Sequence, residues 1–137
     1  MVYDIVSERK SKYCITVNQP KDAFEAVKRY SRKAQENFLV IALSGSHSVI
    51  SVRIITVGLL NRTVVHPREV FRQAMLDNAA TIIAAHNHPS GSLIPSPEDL
   101  EITQRLKEAG EIVGIELLDH LIISKSGFAS LKELGHL

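Results

Sequence analysis

Apolar residues along this chain follow two periods, and together they predict strands interleaved with three helices. From Pro20 onward, Phe24, Val27, Tyr30 and Ala34 recur at three- and four-residue spacing, which predicts a helix. Phe38-Leu39-Val40-Ile41-Ala42-Leu43 is unbroken apolar sequence, the pattern of a strand buried on both faces. Ser44-Gly45-Ser46 turns the chain, and His47 to Val57, rich in β-branched residues, predicts a long strand ending at Gly58. Val64-Val65 adds a short extended piece. A second helix is expected from Pro67 to Asn78, with Val70, Phe71, Ala74, Met75 and Asn78 on one face. Thr81 to Ala85 is a short apolar run and reads as a buried strand.

Pro89 to Pro95 holds two Pro, one Gly and two Ser, so it predicts a loop. Ser96-Pro97 then opens a third helix, expected to run to Ala109 and stop at Gly110. Ile112-Val113 and Leu117 to Ser124 read as further strands, and Gly127 to Leu134 closes the chain with a frayed tail. A weaker strand signal covers Lys12 to Val17. Hairpin-like and crossover connections both occur, so the fold class expected is α/β, a mixed sheet between helices.

Composition narrows this picture. At 137 residues the chain is expected to form a single domain, and 45% apolar residues can furnish its core. Charged residues at 23% exclude disorder, and no apolar run approaches the ~20 residues that span a bilayer. Met1 to Lys12 lacks the apolar segment of a signal peptide, and a single cysteine, Cys14, fits a reducing cytoplasm, where it is expected to be a small core residue. A formal net charge of +1 gives no general attraction to nucleic acid. The basic cluster Lys28-Arg29-Tyr30-Ser31-Arg32-Lys33 is expected to be a solvated helix face, with phosphate contact as the minor reading.

One constellation carries chemistry. His86-Asn87-His88-Pro89 is followed, after seven residues counted from His88, by Ser96-Pro97-Glu98-Asp99. Side chains two apart on a strand point the same way, so His86 and His88 can face one ion. A loop returning to the strand end can bring the Asp99 carboxylate beside them. Ser96 and Asp99 also form a good helix start by themselves, as a capping box. Two imidazoles and a carboxylate are the ligand set of a catalytic zinc site, which leaves a coordination position for water and acidifies it to a pKa near ~7. We therefore expect one zinc ion per chain, held by His86, His88 and Asp99.

Such a water needs a proton acceptor. H-E-x-x-H proteases carry a glutamate between their histidines, where this chain has Asn87. The candidates are Glu36, Glu69, Glu98 and Glu101. Glu69 and Glu98 sit in first helical turns, where the helix dipole alone explains an acid. Glu36, just ahead of the central strand, is favoured. It reaches the site only if its strand and the histidine strand run antiparallel or strongly staggered, because parallel strands in register would separate the groups by ~17 Å.

Three segments carry a family resemblance: Val64-Val65-His66-Pro67-Arg68-Glu69-Val70-Phe71, Ala85-His86-Asn87-His88-Pro89-Ser90-Gly91 and Pro95-Ser96-Pro97-Glu98-Asp99. They resemble the RadC family, the bacterial branch of the JAB/MPN domains, also called JAMM metalloproteases. Asp119-His120-Leu121-Ile122 fits it too, and the likeness covers roughly residues 20 to 130. The resemblance implies a cytidine-deaminase-like α/β/α sandwich. It implies zinc on His86, His88 and Asp99, Glu36 as general base, and Ser96 as a donor to the oxyanion. RadC proteins usually add an N-terminal helix-hairpin-helix region that binds DNA backbone, for which this chain has no room. It is expected to be either a short form or one domain of a longer protein.

The function implied is a zinc-dependent hydrolase of a peptide or isopeptide amide. The alternatives are a nucleic-acid processing or accessory module tied to DNA repair, and a silent interaction scaffold. His86-Asn87-His88 spells HNH, but nucleases of that name disperse those residues across a ββα unit, and the near-neutral charge disfavours DNA. A deaminase needs H-x-E with P-C-x-x-C, which one cysteine cannot supply. The full ligand set argues against a scaffold.

Overall fold

The structure is a computed structural model and describes residues 14–58 and 65–137. Helix α1 spans Pro20–Val27 and continues as a 3-10 turn, Lys28–Tyr30. Strands β1 (Asn37–Leu43) and β2 (Val49–Val57) follow, then α2 (Pro67–Leu76), β3 (Thr81–Asn87), α3 (Pro97–Val113), β4 (Glu116–Ser124) and β5 (Gly127–Ser130). The five strands form one sheet in the order β2-β1-β3-β4-β5. Among the described residues only the β3–β4 pair is parallel, and α3 supplies the crossover that such a pair needs. The sheet is therefore mixed, as the sequence predicts.

Strand alternation divides the core into two layers. Leu39, Ile41, Leu43, Ile83, Ala85, Leu121 and Ile123 face α1, packing on Ala23, Val27 and Tyr30. Phe38, Val40, Ile82, Ala84 and Leu117 face the other way, against Val70, Phe71 and Ala74 of α2 and Ile102 and Leu106 of α3. Helices thus cover both faces, and the architecture is the α/β/α sandwich. β1 is buried at all seven positions, which is why its sequence shows no alternation.

Several boundaries differ from the sequence pattern. α3 does not stop at Gly110; it runs to Val113 and ends on Gly114, whose φ of +78° is the left-handed cap. Gly110 is a glycine for another reason. A Cβ there would lie 2.4 Å from the backbone oxygen of Ile115, where the chain doubles back toward β4. Ile112 and Val113 are accordingly helical and exposed, not a strand. α1 is shorter than its apolar spacing suggests, and Ala34 lies exposed beyond it.

α2 ends at Leu76, so Asn78 follows the helix with a positive φ of 58°, and Met75 points to solvent. β2 begins at Val49, not His47. Of the weak N-terminal strand, residues 12 and 13 lie outside the described residues, and Thr16 makes only an isolated bridge to Ser48. Val64 also lies outside them. Cys14 is exposed and so is no core residue. The tail is tied down: the His136 amide donates to the Leu131 carbonyl at 2.9 Å, and Leu137 packs against the second core layer.

Among the described residues, no helix is long and apolar enough to cross a membrane. The basic cluster lies on the 3-10 turn and the bend after it rather than on a regular helix face. Lys28 pairs with Glu25 at 2.7 Å, and Arg29 donates to the Tyr30 hydroxyl at 2.8 Å.

Candidate metal centre

β1 and β3 run antiparallel, with Phe38 opposite His86. That register puts the chain just before β1 at the same end of the sheet as the chain just after β3. His86 is the penultimate residue of β3 and points to the α2/α3 side, like Ile82 and Ala84. His88 follows two residues on, and its backbone amide donates to the Ile123 carbonyl at 2.9 Å, so it stays in line with the sheet. The loop is fastened again where the Ser124 hydroxyl donates to the Gly91 carbonyl at 3.0 Å.

The N-terminus of α3 brings the carboxylate. Ser96 caps the helix by accepting from the Asp99 amide at 3.1 Å, and the Ser96 amide donates to Asp99 Oδ2 at 2.8 Å. This reciprocal pair fixes the Asp99 side chain. The capping box and the candidate ligand are therefore one structure. Asp99 is buried, with Oδ1 lying 3.0 Å from His86 Nε2 and Oδ2 lying 3.1 Å from His88 Nε2. The two Nε2 atoms are 2.9 Å apart. All three side chains offer a ligand atom within 4.8 Å of one another.

The chemistry of these donors fits a cation. His88 Nδ1 lies 3.1 Å from the Ser92 carbonyl, which can only accept, so Nδ1 carries the proton. A neutral His88 then turns a bare Nε2 lone pair toward the Asp99 carboxylate and toward His86. Lone pairs converging at this separation require a positive charge between them. The ionisation behaviour agrees. The hydrogen bond to Asp99 raises the His88 pKa against the opposing effect of burial, and the charges of Asp99 and Glu36 add to the rise. Burial would raise the Asp99 carboxyl, but its contacts with the His86 and His88 imidazoles outweigh that and hold Asp99 far below the usual carboxylate range. The cluster can therefore hold a metal ion, or in its place a proton.

A cleft of about 530 Å³ opens over the cluster, lined by Glu36, Gly58, His88, Ser90, Ser96 and Asp99 among others. His86 lies wholly buried beneath it. Of the four acids considered as bases, Glu36 lines this cleft, whereas Glu69, Glu98 and Glu101 are exposed on helices α2 and α3 and do not.

Asn87, between the two histidines, explains how Glu36 is held there. Its Oδ1 accepts from the Asn37 amide at 2.6 Å, and its Nδ2 donates to the carbonyls of Gln35 at 2.9 Å and Lys33 at 3.2 Å. One buried side chain thus clamps the backbone on both sides of Glu36. The position that carries a base in H-E-x-x-H proteases here positions the candidate base instead.

The sequence reading did not single out Thr103 or His120 for the site. His120 Nε2 lies 2.8 Å from His86 Nδ1, and His120 Nδ1 lies 2.5 Å from the Thr103 hydroxyl. Both residues are buried, and that burial is the main reason the His120 pKa lies well below its ordinary value. The available signal was a polar pair, Asp119-His120, inside an otherwise apolar strand. Asp119 itself is structural: it accepts from the His120 and Lys132 amides at 2.7 and 3.1 Å and from the Ser130 hydroxyl at 2.5 Å, tying β4 to β5 and the turn beyond.

A mixed α/β/α sandwich with a His-His-Asp cluster at one strand end defines the class: an α/β domain built around a candidate metal centre. The model of the RadC-like JAB domain matches residues 17–136, and the chain belongs to that family. It is 57% identical over 107 residues to a UPF0758 protein of Methanospirillum hungatei, covering 78% of this chain and 48% of that protein. It is 47% identical over 120 residues to a UPF0758 protein of Shouchella clausii, covering 87% of this chain and 52% of the relative. The UPF0758 protein YsxA of Bacillus subtilis is 47% identical over 122 residues, covering 88% of this chain and 53% of that protein. The chain thus spans about half the length of these curated relatives.

Proposed function

We propose that this domain is a zinc-dependent hydrolase that cleaves an amide bond, in a peptide or an isopeptide. The observation that carries the proposal is the convergence of Glu36 and Ser96 on the cleft above His86, His88 and Asp99. His86, His88 and Asp99 would hold the ion, since two imidazoles and one carboxylate are a donor set that suits zinc. Bound there, zinc would supply Lewis-acid polarisation of a water and of the scissile carbonyl.

The remaining roles belong to the chain's own side chains. Glu36 takes the proton from the attacking water and delivers it to the departing amine, as a single general base then acid. Asn87 keeps Glu36 from drifting, because the backbone on either side of it is bonded to that one amide. Ser96 accepts the helix-capping hydrogen bond through its oxygen, which leaves its hydroxyl proton to donate toward a developing oxyanion. The nucleic-acid reading draws no comparable support, since Lys28 and Arg29 of the basic cluster already engage Glu25 and Tyr30.

The test is an unbiased cleavage screen with a diverse peptide library and isopeptide-linked substrates, read by mass spectrometry. Zinc-loaded parent is expected to cut at least one amide that zinc-loaded Glu36→Gln leaves intact. Equal cleavage by Glu36→Gln would remove the assigned base, and a zinc-loaded parent that cuts nothing would count against amide hydrolysis.

A further inference from the structure

His86 is the one candidate ligand whose protonation pattern is set by another histidine. Its Nδ1 meets His120 Nε2 at 2.8 Å, in a pocket closed by Phe38. His120 Nδ1 in turn meets Thr103 Oγ1, and the Thr103 hydroxyl donates to the Asp99 carbonyl at 2.7 Å. A run of three hydrogen bonds therefore starts at the backbone of one candidate ligand, Asp99, and ends on the ring of another, His86.

The direction of this run is fixed by counting protons. A threonine hydroxyl has one proton, and here it goes to the Asp99 carbonyl, which cannot donate. Thr103 Oγ1 must then accept, so His120 carries its proton on Nδ1. A neutral His120 has no proton on Nε2, which therefore accepts from His86 Nδ1–H. His86 is left with a bare Nε2, the atom that faces His88 and Asp99. The reverse direction leaves Thr103 Oγ1 and the Asp99 carbonyl in contact with no proton between them. It also puts a proton on His86 Nε2, where an ion would have to bind.

We infer that Thr103 and His120 are positioning residues that lock His86 in its Nδ1–H tautomer and so keep its Nε2 ready to ligate a metal. Neither Thr103 nor His120 belongs to the His86-His88-Asp99 cluster; they act through His86. The placement follows from the fold. Thr103 is four residues after Asp99 on α3, hence on the same helix face, and His120 pairs with Ala84 on the strand beside the histidines. Ligating histidines commonly donate their second nitrogen to a carboxylate, a carbonyl or a water. A neutral imidazole backed by a hydroxyl does the same work here without adding negative charge to the buried wall.

This inference rests on the metal-site reading, and one experiment separates the two. The protein is labelled with 15N histidine, and long-range proton–nitrogen correlations give the His86 tautomer without metal. Zinc affinity is then measured by chelator competition. In the parent, His86 is expected to be Nδ1–H. Thr103→Val keeps the shape and removes the hydroxyl, so His120 is free to move its proton to Nε2 and to turn His86 to the opposite tautomer. Zinc affinity is expected to fall roughly 10- to 100-fold, the usual effect of losing such a partner. Thr103→Ser restores the hydroxyl and should restore both readouts. His120→Leu provides a second disrupting variant should Thr103→Val fail to fold. A parent that binds no zinc overturns the metal-site reading, while the spectrum still decides the tautomer lock. A parent that binds zinc, with the tautomer and affinity unchanged in Thr103→Val and His120→Leu, overturns the inference alone.

Discussion

Replacing Asn87 with alanine separates the geometry of the base from the geometry of the ligands. The substitution removes three hydrogen bonds: one accepted from the Asn37 amide and two donated to the carbonyls of Lys33 and Gln35. Lys33 and Gln35 are exposed, so water can satisfy their carbonyls, and those losses cost about 0.5–1 kcal/mol each. Asn37 is buried, and its amide would be left with no acceptor, at roughly 1–3 kcal/mol. The total is roughly 3 kcal/mol. Domains of this kind have 5–15 kcal/mol in hand as a rule, so about 3 kcal/mol weakens the fold without abolishing it.

Denaturant titration of parent and variant gives the number, and hydrogen exchange locates it. The loss of protection should concentrate in residues 33–37, and zinc binding should persist, because β3 holds His86 and the Ile123 carbonyl holds the His88 backbone. Turnover should drop by an order of magnitude or more, since a base displaced by even ~1 Å costs about 100-fold. A variant within about 0.5 kcal/mol of the parent, with unchanged exchange at residues 33–37, would refute the clamp.

Ser96→Gly tests the oxyanion role, because glycine is nearly as good a helix cap. The melt should shift by only the equivalent of a few tenths of a kcal/mol while kcat falls ~100-fold, and retained kcat would remove Ser96 from the chemistry. Gly110→Ala runs against helix propensity. Alanine should gain about 1 kcal/mol in a helix interior, yet here its Cβ meets the Ile115 backbone oxygen, so a net loss of roughly 1–2 kcal/mol is expected by denaturation, and a gain would contradict the close approach. Zinc affinity should weaken as pH falls. The raised His88 pKa means that the metal-free protein holds a proton on the ligand nitrogen to higher pH than a free imidazole does. Affinity should therefore climb with pH up to that raised value and then level off, whereas the stability His88 lends the metal-free fold should decline over the same rise. A chelator-competition series from about pH 5.5 to 8.5 reads this, and a flat profile would contradict it.

What could be read from the sequence was local. β1 announced itself through an unbroken apolar run, and Ser96-Pro97-Glu98-Asp99 announced the start of α3. The His86/His88 pair announced itself by the two-residue period of a strand, and the structure places Asp99 beside both. The antiparallel run of β1 and β3 was reached indirectly, as the condition under which Glu36 could meet the histidines. What failed to show were contacts between segments distant in sequence. Gly110 looked like a helix stop because glycine usually is one; the real cause is the backbone of Ile115, which no local pattern reveals. Ile112 and Val113 looked like strand residues through their β-branching, but the helix overran them to reach Gly114. Met75 fitted the apolar face of α2 by spacing, yet the helix turns it to solvent. Asn87, Thr103 and His120 act across separations of 50, 17 and 34 residues, so their partners became visible only in the fold.

Every role proposed at this site depends on His86, His88 and Asp99 being able to hold one zinc ion together. The most direct measurement is elemental analysis of protein purified without chelator, then loaded with zinc and desalted, for the parent, His88→Ala and Asp99→Ala side by side. About one zinc per parent chain is expected, and far less in each variant, with all three folded by circular dichroism. Equal zinc in parent and variants, or none in a loaded parent, would contradict it.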